Sequence, residues 1–273
     1  MNKQCIFLIC VILSAILMVS CARDEPTKYY CTQRITELVF DGKKHITREE
    51  ITYDAQWRIA SSTTYDGEEI TGIRSYEYIE DGNQVEVTQI YDGIETHGTF
   101  LRTYDGFGNI LQEDSIENGK VVSTNEYTYD AQENILTHIY QPNDSVVITN
   151  SYAYNESGNR IRYENKTHYT DNDSVFVVLT EYGYDKTGHL SWENTYVNGS
   201  LGACREYTYE EKTNTEEGIL LNLDGTINSR TRRIFDEAGN VLLQEELTAD
   251  GTLLTRTIQT WIGADGSLSK WEE

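Results

Sequence analysis

A repeat of 25 to 26 residues runs along almost the whole chain and constrains its fold more than any other feature. Each copy is a variant of Tyr-x-Tyr-Asp-x-x-Gly-Asn-x-Leu, as in YTYDAQENIL (127–136) and RIFDEAGNVL (233–242). A fixed period of this length indicates an array of one supersecondary unit. The aromatic residues that precede the acidic turn of each copy are Tyr53, Tyr78, Tyr104, Tyr129, Tyr154, Tyr184, Tyr209, Phe235 and Trp261.

A second mark lies half a period away: an Asp-Gly or Asn-Gly dipeptide, as at Asp92-Gly93 and Asn118-Gly119, or Asn-Asp at 143–144 and 172–173. These dipeptides favour type I′ turns, which need positive φ at both central positions. The Tyr-Asp mark predicts a longer turn, in which the Asp side chain caps the backbone and the Gly takes the left-handed conformation. Glu133 replaces that Gly in one copy, which predicts a looser turn there. Both marks lengthen between 154 and 184, so one hairpin is longer than the others.

The segments between marks are rich in Thr, Val, Ile and Tyr, the composition of strands. Residues 28–273 therefore predict an all-β fold, an antiparallel β-hairpin repeat meander of about eighteen strands. Tyrosines two apart, such as Tyr127 and Tyr129, share one face and predict an aromatic ladder. The hydrophobic fraction of 38% is low for a thick core. One sheet of this size is expected to be curled or spiralling.

The repeat resembles the YD repeat of Rhs-type proteins over roughly residues 28 to 270. The resemblance implies a sheet that winds into a spiralling shell. Large Rhs toxins are similar in having such a shell around a cargo, followed by a toxin after an Asp-Pro cleavage motif. This chain contains no Asp-Pro and is too short to enclose a cargo, so toxin delivery is not expected of it.

The N-terminal residues 1–20 have the pattern of a secretory signal, with Lys3 followed by the apolar run 5–19. An uncleaved anchor helix is the alternative. The sequence LMVSC (17–21) resembles the lipobox of bacterial lipoproteins, which implies acylation of Cys21 and a tether over 21–27. The following ARDEP resembles the surface-export signal of Bacteroidetes lipoproteins; the alternative is an ordinary polar tether.

The charge balance excludes whole classes of partner. Removal of residues 1–20 removes one Lys and no acid, so the net charge changes from −23 to −24. Such a chain repels phosphate backbones, and we expect no nucleic-acid partner. Two cysteines remain beyond Cys21, namely Cys31 and Cys204, and an oxidising compartment would permit a disulfide between them.

No residue pattern indicates a catalytic, cofactor or metal site. The five histidines are scattered: His45, His97, His138, His168 and His189. The sequence contains no nucleophile elbow, phosphate loop, dinucleotide fingerprint or calcium-loop pattern. Acids repeated at every turn, such as Asp105 and Asp130, are interpreted as turn residues.

Three Asp-Ser-aliphatic triplets resemble the O-glycosylation acceptor of Bacteroidetes secreted proteins, with acceptors Ser115, Ser145 and Ser174. The alternative is coincidence, because Asp and Ser both favour turns. The latter two serines fall at predicted hairpin turns, where a modifying enzyme could reach them.

These patterns predict a non-enzymatic lipoprotein of the bacterial cell envelope, at the outer membrane and exposed on its surface. The lipid anchor gives it a membrane contact, and the repeat scaffold serves adhesion or protein interaction with a protein or glycan ligand. One alternative is a glycan-binding accessory lipoprotein with exposed aromatic rings on one concave face. Another is an immunity or antitoxin-like partner protein, because hairpin repeats of the MORN type look similar.

Overall fold

The structure is a computed structural model that describes residues 29–40, 43–79, 82–263 and 266–271. The predicted signal segment 1–20 and tether 21–27 lie outside these residues. Nineteen strands and the turns between them make up the described part. The strands are β1 Tyr29–Phe40, β2 Lys43–Tyr53, β3 Ile59–Asp66, β4 Glu69–Ile79, β5 Gln84–Tyr91, β6 Ile94–Tyr104, β7 Ile110–Glu117, β8 Lys120–Tyr129, β9 Ile135–Asn143, β10 Val146–Tyr154, β11 Arg160–Tyr169, β12 Ser174–Tyr184, β13 Leu190–Val197, β14 Ser200–Glu210, β15 Thr215–Leu221, β16 Ile227–Phe235, β17 Val241–Thr248, β18 Leu253–Gly263 and β19 Leu268–Lys270.

Each strand pairs antiparallel with the next one in sequence, and β1 also pairs with β18 from Tyr29↔Gly263 to Leu38↔Thr255. Eighteen strands therefore close into a barrel, and the short β19 adds to the end of β18. The predicted antiparallel meander is confirmed. The predicted open, curled or spiralling sheet is wrong, because closure pairs the two edge strands that an open sheet would leave free.

The two kinds of turn lie at opposite ends of the barrel. We call the turns at the Asp-Gly, Asn-Gly and Asn-Asp marks the hairpin tips, and the turns after the repeat aromatics the Tyr-Asp turns. Asp92-Gly93 and Asn118-Gly119 have positive φ at both residues, which confirms the predicted type I′ geometry at these tips. At Asp224-Gly225 and Asp250-Gly251 only the glycine has positive φ, so the prediction is wrong for those two tips. Glu133 has a φ of 64°, so it takes the left-handed position that Gly occupies in most copies.

The two faces of the wall differ in exposure near the Tyr-Asp turns. On β8, Asn125, Tyr127 and Tyr129 are half-buried, whereas Glu126 and Thr128 between them are exposed. Side chains converge on the concave side of a closed barrel and diverge on its convex side. The face that carries the tyrosines is therefore the inner wall, and the face of Glu126 and Thr128 is the outer wall.

Little apolar surface is fully buried, as the low hydrophobic fraction predicts. The buried apolar side chains are Cys31, Val85, Val87, Tyr207, Ile234, Leu242 and Leu243. The described hydrogen bonds and ion pairs instead join side chains on nearby strands around the wall, as between Arg102 and Glu113 on β6 and β7. The strand ladder and these side-chain pairs are thus the main stabilisers of the fold.

Candidate functional site

The Tyr-Asp turns use their acids for structure. The Asp130 Oδ1 accepts backbone N–H groups from Gln132 and Asn134, both at 2.9 Å, and its Oδ2 accepts the Asn134 amide at 2.9 Å. The pKa of the Asp105 carboxyl is lowered from its ordinary value, mainly by the hydrogen bond that it accepts from the Asn109 side-chain amide. A catalytic base would have free lone pairs aimed at a substrate. These carboxylates are instead turn caps, as the sequence predicted.

The repeat tyrosines join successive hairpins. The Tyr129 hydroxyl donates to the Ile110 carbonyl at 2.8 Å, one hairpin earlier, and the Trp261 indole N–H donates to the Val241 carbonyl at 2.9 Å. The same link to a backbone carbonyl is made by Tyr53, Tyr78, Tyr104, Tyr154 and Tyr184. Sequence reasoning placed these rings on one face correctly but missed the links. Sequence spacing alone cannot show that the hydroxyl reaches a carbonyl 19 to 24 residues earlier.

The seventh and eighth of the nine copies differ at this position. The Tyr209 hydroxyl donates to the Asn214 side chain instead of a backbone carbonyl. Phe235 has no hydroxyl, and its ring centroid lies 6.5 Å from that of Tyr209. Rings elsewhere meet in local groups, such as Tyr152 with Tyr163 at 5.3 Å. The predicted aromatic ladder is therefore present as separate ring contacts along the inner wall.

The inner wall also carries ion pairs between neighbouring strands. Glu193 pairs with Arg205 at 3.4 Å, and Arg102 pairs with Glu113 at 2.6 Å. Burial raises the pKa of Tyr127, Tyr152 and Tyr207 to about 12, so these hydroxyls stay protonated near neutral pH. Protonated phenols and paired carboxylates are poor nucleophiles and bases.

Two of the five histidines, His138 and His189, contribute rings to this packing. His138 stacks on Tyr127 with centroids 4.6 Å apart, and burial lowers its pKa. His189 stacks on Tyr209 at 3.7 Å. Within the described ranges no group of three His, Cys, Asp or Glu side chains is placed to hold a metal ion. Both Cys31 on β1 and Cys204 on β14 are free thiols, so the disulfide left open by the sequence does not form.

The predicted modification sites fall in three places. Cys21 lies outside the described residues. Ser115 is half-buried and faces the inner wall opposite Phe100. Ser145 and Ser174 lie at hairpin tips as predicted, and Ser174 is exposed. O-glycosylation at these serines stays a prediction.

Exposed apolar side chains gather at the hairpin tips, and sequence reasoning did not single them out. We call this surface the hairpin-tip rim, and each member belongs to a strand next to a different tip. Ile94 is the most exposed of its defining members, at 67%. The signal in the sequence is an aliphatic or aromatic residue within four positions of a tip. The rim is defined by Ile46, Ile70, Ile94, Val121, Phe176 and Leu201.

The tips that carry the rim are held by hydrogen bonds. The Asn198 side chain accepts the Val177 N–H at 2.9 Å, and the Asn198 N–H donates to the Val177 carbonyl at 2.8 Å. Thr170 in the longer β11–β12 tip donates its N–H to the Ser145 carbonyl and its hydroxyl to the Asp144 carbonyl, both at 2.9 Å. An open depression of about 460 Å³ lies beside the rim, between residues 96–99 of β6 and residues 116–119 at the end of β7 and its tip.

The chain enters the barrel at the end opposite the rim. Tyr29, the first residue of β1, pairs with Gly263 beside the last turn of the Tyr-Asp type. No helix in the described ranges has both the length and the apolarity that a bilayer span requires.

Comparisons with known proteins give only distant likenesses to solved structures. No family model matches the chain, and no curated protein matches it. A solved porin-like protein from Bacteroides uniformis is 10% identical with a TM-score of 0.45, over 89% of this chain and 99% of that one. A protein with a YmcC-like fold from Bacteroides fragilis is 8% identical with a TM-score of 0.18, over 88% of this chain and 96% of that one. The barrel closure rests on this chain's own strand pairing.

Proposed function

We propose that this chain is a non-enzymatic envelope lipoprotein whose barrel presents an interaction surface for another protein. One observation carries the proposal: the exposed apolar hairpin-tip rim lies at the end opposite the start of β1. A lipid at the predicted Cys21 anchor would place the Tyr-Asp turns next to the membrane. The rim would then face away from it.

The wall itself is suited to water rather than to lipid. Exposed charged side chains such as Glu126, Arg162 and Glu206 lie within the strands of the outer wall. A lipid-facing barrel needs a continuous outward apolar band about 25 Å tall. Attachment through acyl chains at Cys21 is therefore the membrane contact that the proposal requires.

A binding role suits the rim because clusters of exposed apolar side chains commonly mark interaction sites. The glycan-binding alternative required a row of exposed aromatic rings on one concave face. The inner-wall rings of Tyr127, Tyr152 and Tyr163 are half-buried and contact other rings. The exposed rings of that face, such as Tyr169 and Phe176, lie at the hairpin tips and do not continue along the wall as a row. Protein interaction is thus the role that the geometry favours.

In-cell photo-crosslinking tests the proposal. A photoreactive residue replaces Phe176 in the rim, or Phe107, which is 83% exposed at the opposite end. We expect one discrete protein adduct from position 176 and none from position 107. We also expect the protein to incorporate radiolabelled palmitate, and Cys21→Ser to abolish this labelling. Equal adducts from both positions, no adduct from 176, or palmitate labelling that survives Cys21→Ser would contradict the proposal.

A further inference from the structure

We infer that the hairpin-tip rim binds a cationic amphipathic segment of a partner protein, with apolar side chains flanked by Lys and Arg. The inference rests on the proposed function and adds the chemistry of the partner. Three observations carry it: the apolar members of the rim, the acidic side chains set between them, and the fixed geometry of the tips.

The apolar part of the rim is densest at the longer β11–β12 hairpin. Tyr169, Phe176 and Val197 are exposed on the inner face of neighbouring strands, where Phe176 pairs with Thr167 and Val197 pairs with Val178. Val175 is exposed on the outer face beside them. Aromatic side chains in such a group are the usual anchors of a protein interface.

Acidic side chains alternate with these apolar groups around the rim. Exposed basic residues beside the tips are fewer, with Lys43, Lys44 and Lys120 as examples. The resulting field attracts a cationic surface and speeds its encounter. The exposed acids at successive tips include Asp66, Asp92, Glu117, Asp144, Asp173 and Asp250.

The same charge disfavours two other occupants. A second copy of the chain would bring two acidic rims of a protein of net charge −23 together, and like charges oppose that contact. Anionic lipid headgroups would be repelled in the same way. A partner with Lys and Arg beside apolar side chains satisfies both features of the rim.

The rim is also pre-organised. Asp92-Gly93, Asn118-Gly119 and Asn198-Gly199 are type I′ turns with positive φ at both positions. The Thr170 and Asn198 hydrogen bonds fix the tips on both sides of Phe176. A surface that is already ordered loses little conformational entropy on binding.

Binding to three synthetic peptides tests the inference on the acylated protein that begins at the predicted Cys21. The three peptides share one amphipathic helical pattern and differ in the residues on its two faces. The first has Leu on one face and Lys on the other, the second has Leu and Glu, and the third has Ser and Lys. Fluorescence anisotropy measures the affinity at low and high salt. We expect the Leu-Lys peptide to bind at least about tenfold more tightly than the other two, with an affinity that falls as salt rises.

Matched variants locate the site. Phe176→Ser should weaken Leu-Lys binding by about tenfold, whereas Phe107→Ser, which removes an even more exposed ring at the opposite end, should leave it unchanged. Asp171→Asn combined with Asp173→Asn should weaken binding and reduce its salt dependence. These side chains are exposed, and thermal melting confirms that each variant is folded.

Several outcomes would overturn the inference. They are equal binding of the Leu-Glu peptide, an equal effect of Phe107→Ser, self-association through the rim in sedimentation, and binding of phosphatidylglycerol vesicles that Phe176→Ser abolishes. If any of these is found while the in-cell adduct at position 176 persists, the partner chemistry is wrong and the proposed function stands. Loss of that adduct would instead remove the proposed function.

Discussion

At the scale of single residues, six of the Tyr-Asp turns share one kind of capping oxygen, which comes from Asp54, Asp105, Asp130, Asn155, Asp185 or Asp236. Asn155 occupies the Asp position in one copy, and its Oδ1 accepts the Ser157 and Asn159 N–H groups at 3.0 and 2.9 Å. The turn therefore needs an acceptor oxygen at this position and does not need a negative charge. That distinction separates a structural acid from a catalytic one.

We predict that Asp130→Ala lowers the free energy of unfolding by about 1 kcal/mol, because two backbone N–H groups lose their acceptor. Asp130→Asn should have a clearly smaller effect, because Asn155 already fills the same role in the next copy. Urea denaturation of the two variants measures the difference. Equal losses in both variants would show that the charge matters rather than the acceptor oxygen.

Buried phenols on the inner wall predict an alkaline limit to stability. Burial raises the pKa of Tyr127, Tyr152 and Tyr207 to about 12, against about 10 in an unfolded chain. The unfolded state therefore loses these protons first as the pH rises. The stabilisation is fully present below pH about 10 and is lost as the pH approaches 12.

We accordingly expect the urea midpoint to fall steeply between pH 10 and about 12, together with a rise in tyrosinate absorbance. Tyr152→Phe should make the fall shallower, because it removes one of the titrating groups. A midpoint that stays constant over this range would contradict burial of the inner-wall phenols.

At the scale of strands and hairpins, close packing across the inner wall depends on glycine at particular positions. Tyr207 pairs with Gly218 and lies over it. A Cβ added at Gly218 would meet the Tyr207 ring at 2.8 Å and would also meet the Thr231 hydroxyl. Gly98 lies on β6 and also faces the inner wall. A Cβ added there would have the Phe100 ring, at 4.0 Å, as its nearest neighbour.

We predict that Gly218→Ala destabilises the protein by about 1–3 kcal/mol through overpacking. Gly98→Ala should be neutral or slightly stabilising, because Ala reduces the freedom of the unfolded chain without meeting a neighbour. Thermal unfolding of both variants makes the comparison. Similar melting temperatures for the two would argue against the Tyr207–Gly218 contact.

Local features were predictable at this scale because each depends on a few neighbouring residues. The type I′ tips follow from Asn118-Gly119 and similar pairs, and the capping by Asp130 follows from its turn. The Tyr129 link to Ile110 and the exposed Phe176 in the rim were not predictable. They depend on how one hairpin lies against the next, which spacing does not encode.

At the scale of the whole molecule, closure decides what the repeat builds. The sequence predicts the strand number and antiparallel order, but nothing in a uniform repeat marks β1 and β18 as partners. Their pairing fixes which face is the inner wall and gathers the hairpin tips at one end. The rim, and the function proposed for it, depend on that closure.

The distance between β1 and β18 therefore decides whether the barrel is closed. Spin labels on genetically encoded keto side chains at Gln33 and Thr260, which pair across the closure, leave the native cysteines unlabelled. A closed barrel predicts a short distance, on the order of 20 Å or less with the label arms included. An open or spiralling sheet would separate the labels by several tens of ångströms, because neighbouring strands are about 4.8 Å apart, and that result would contradict the closed barrel.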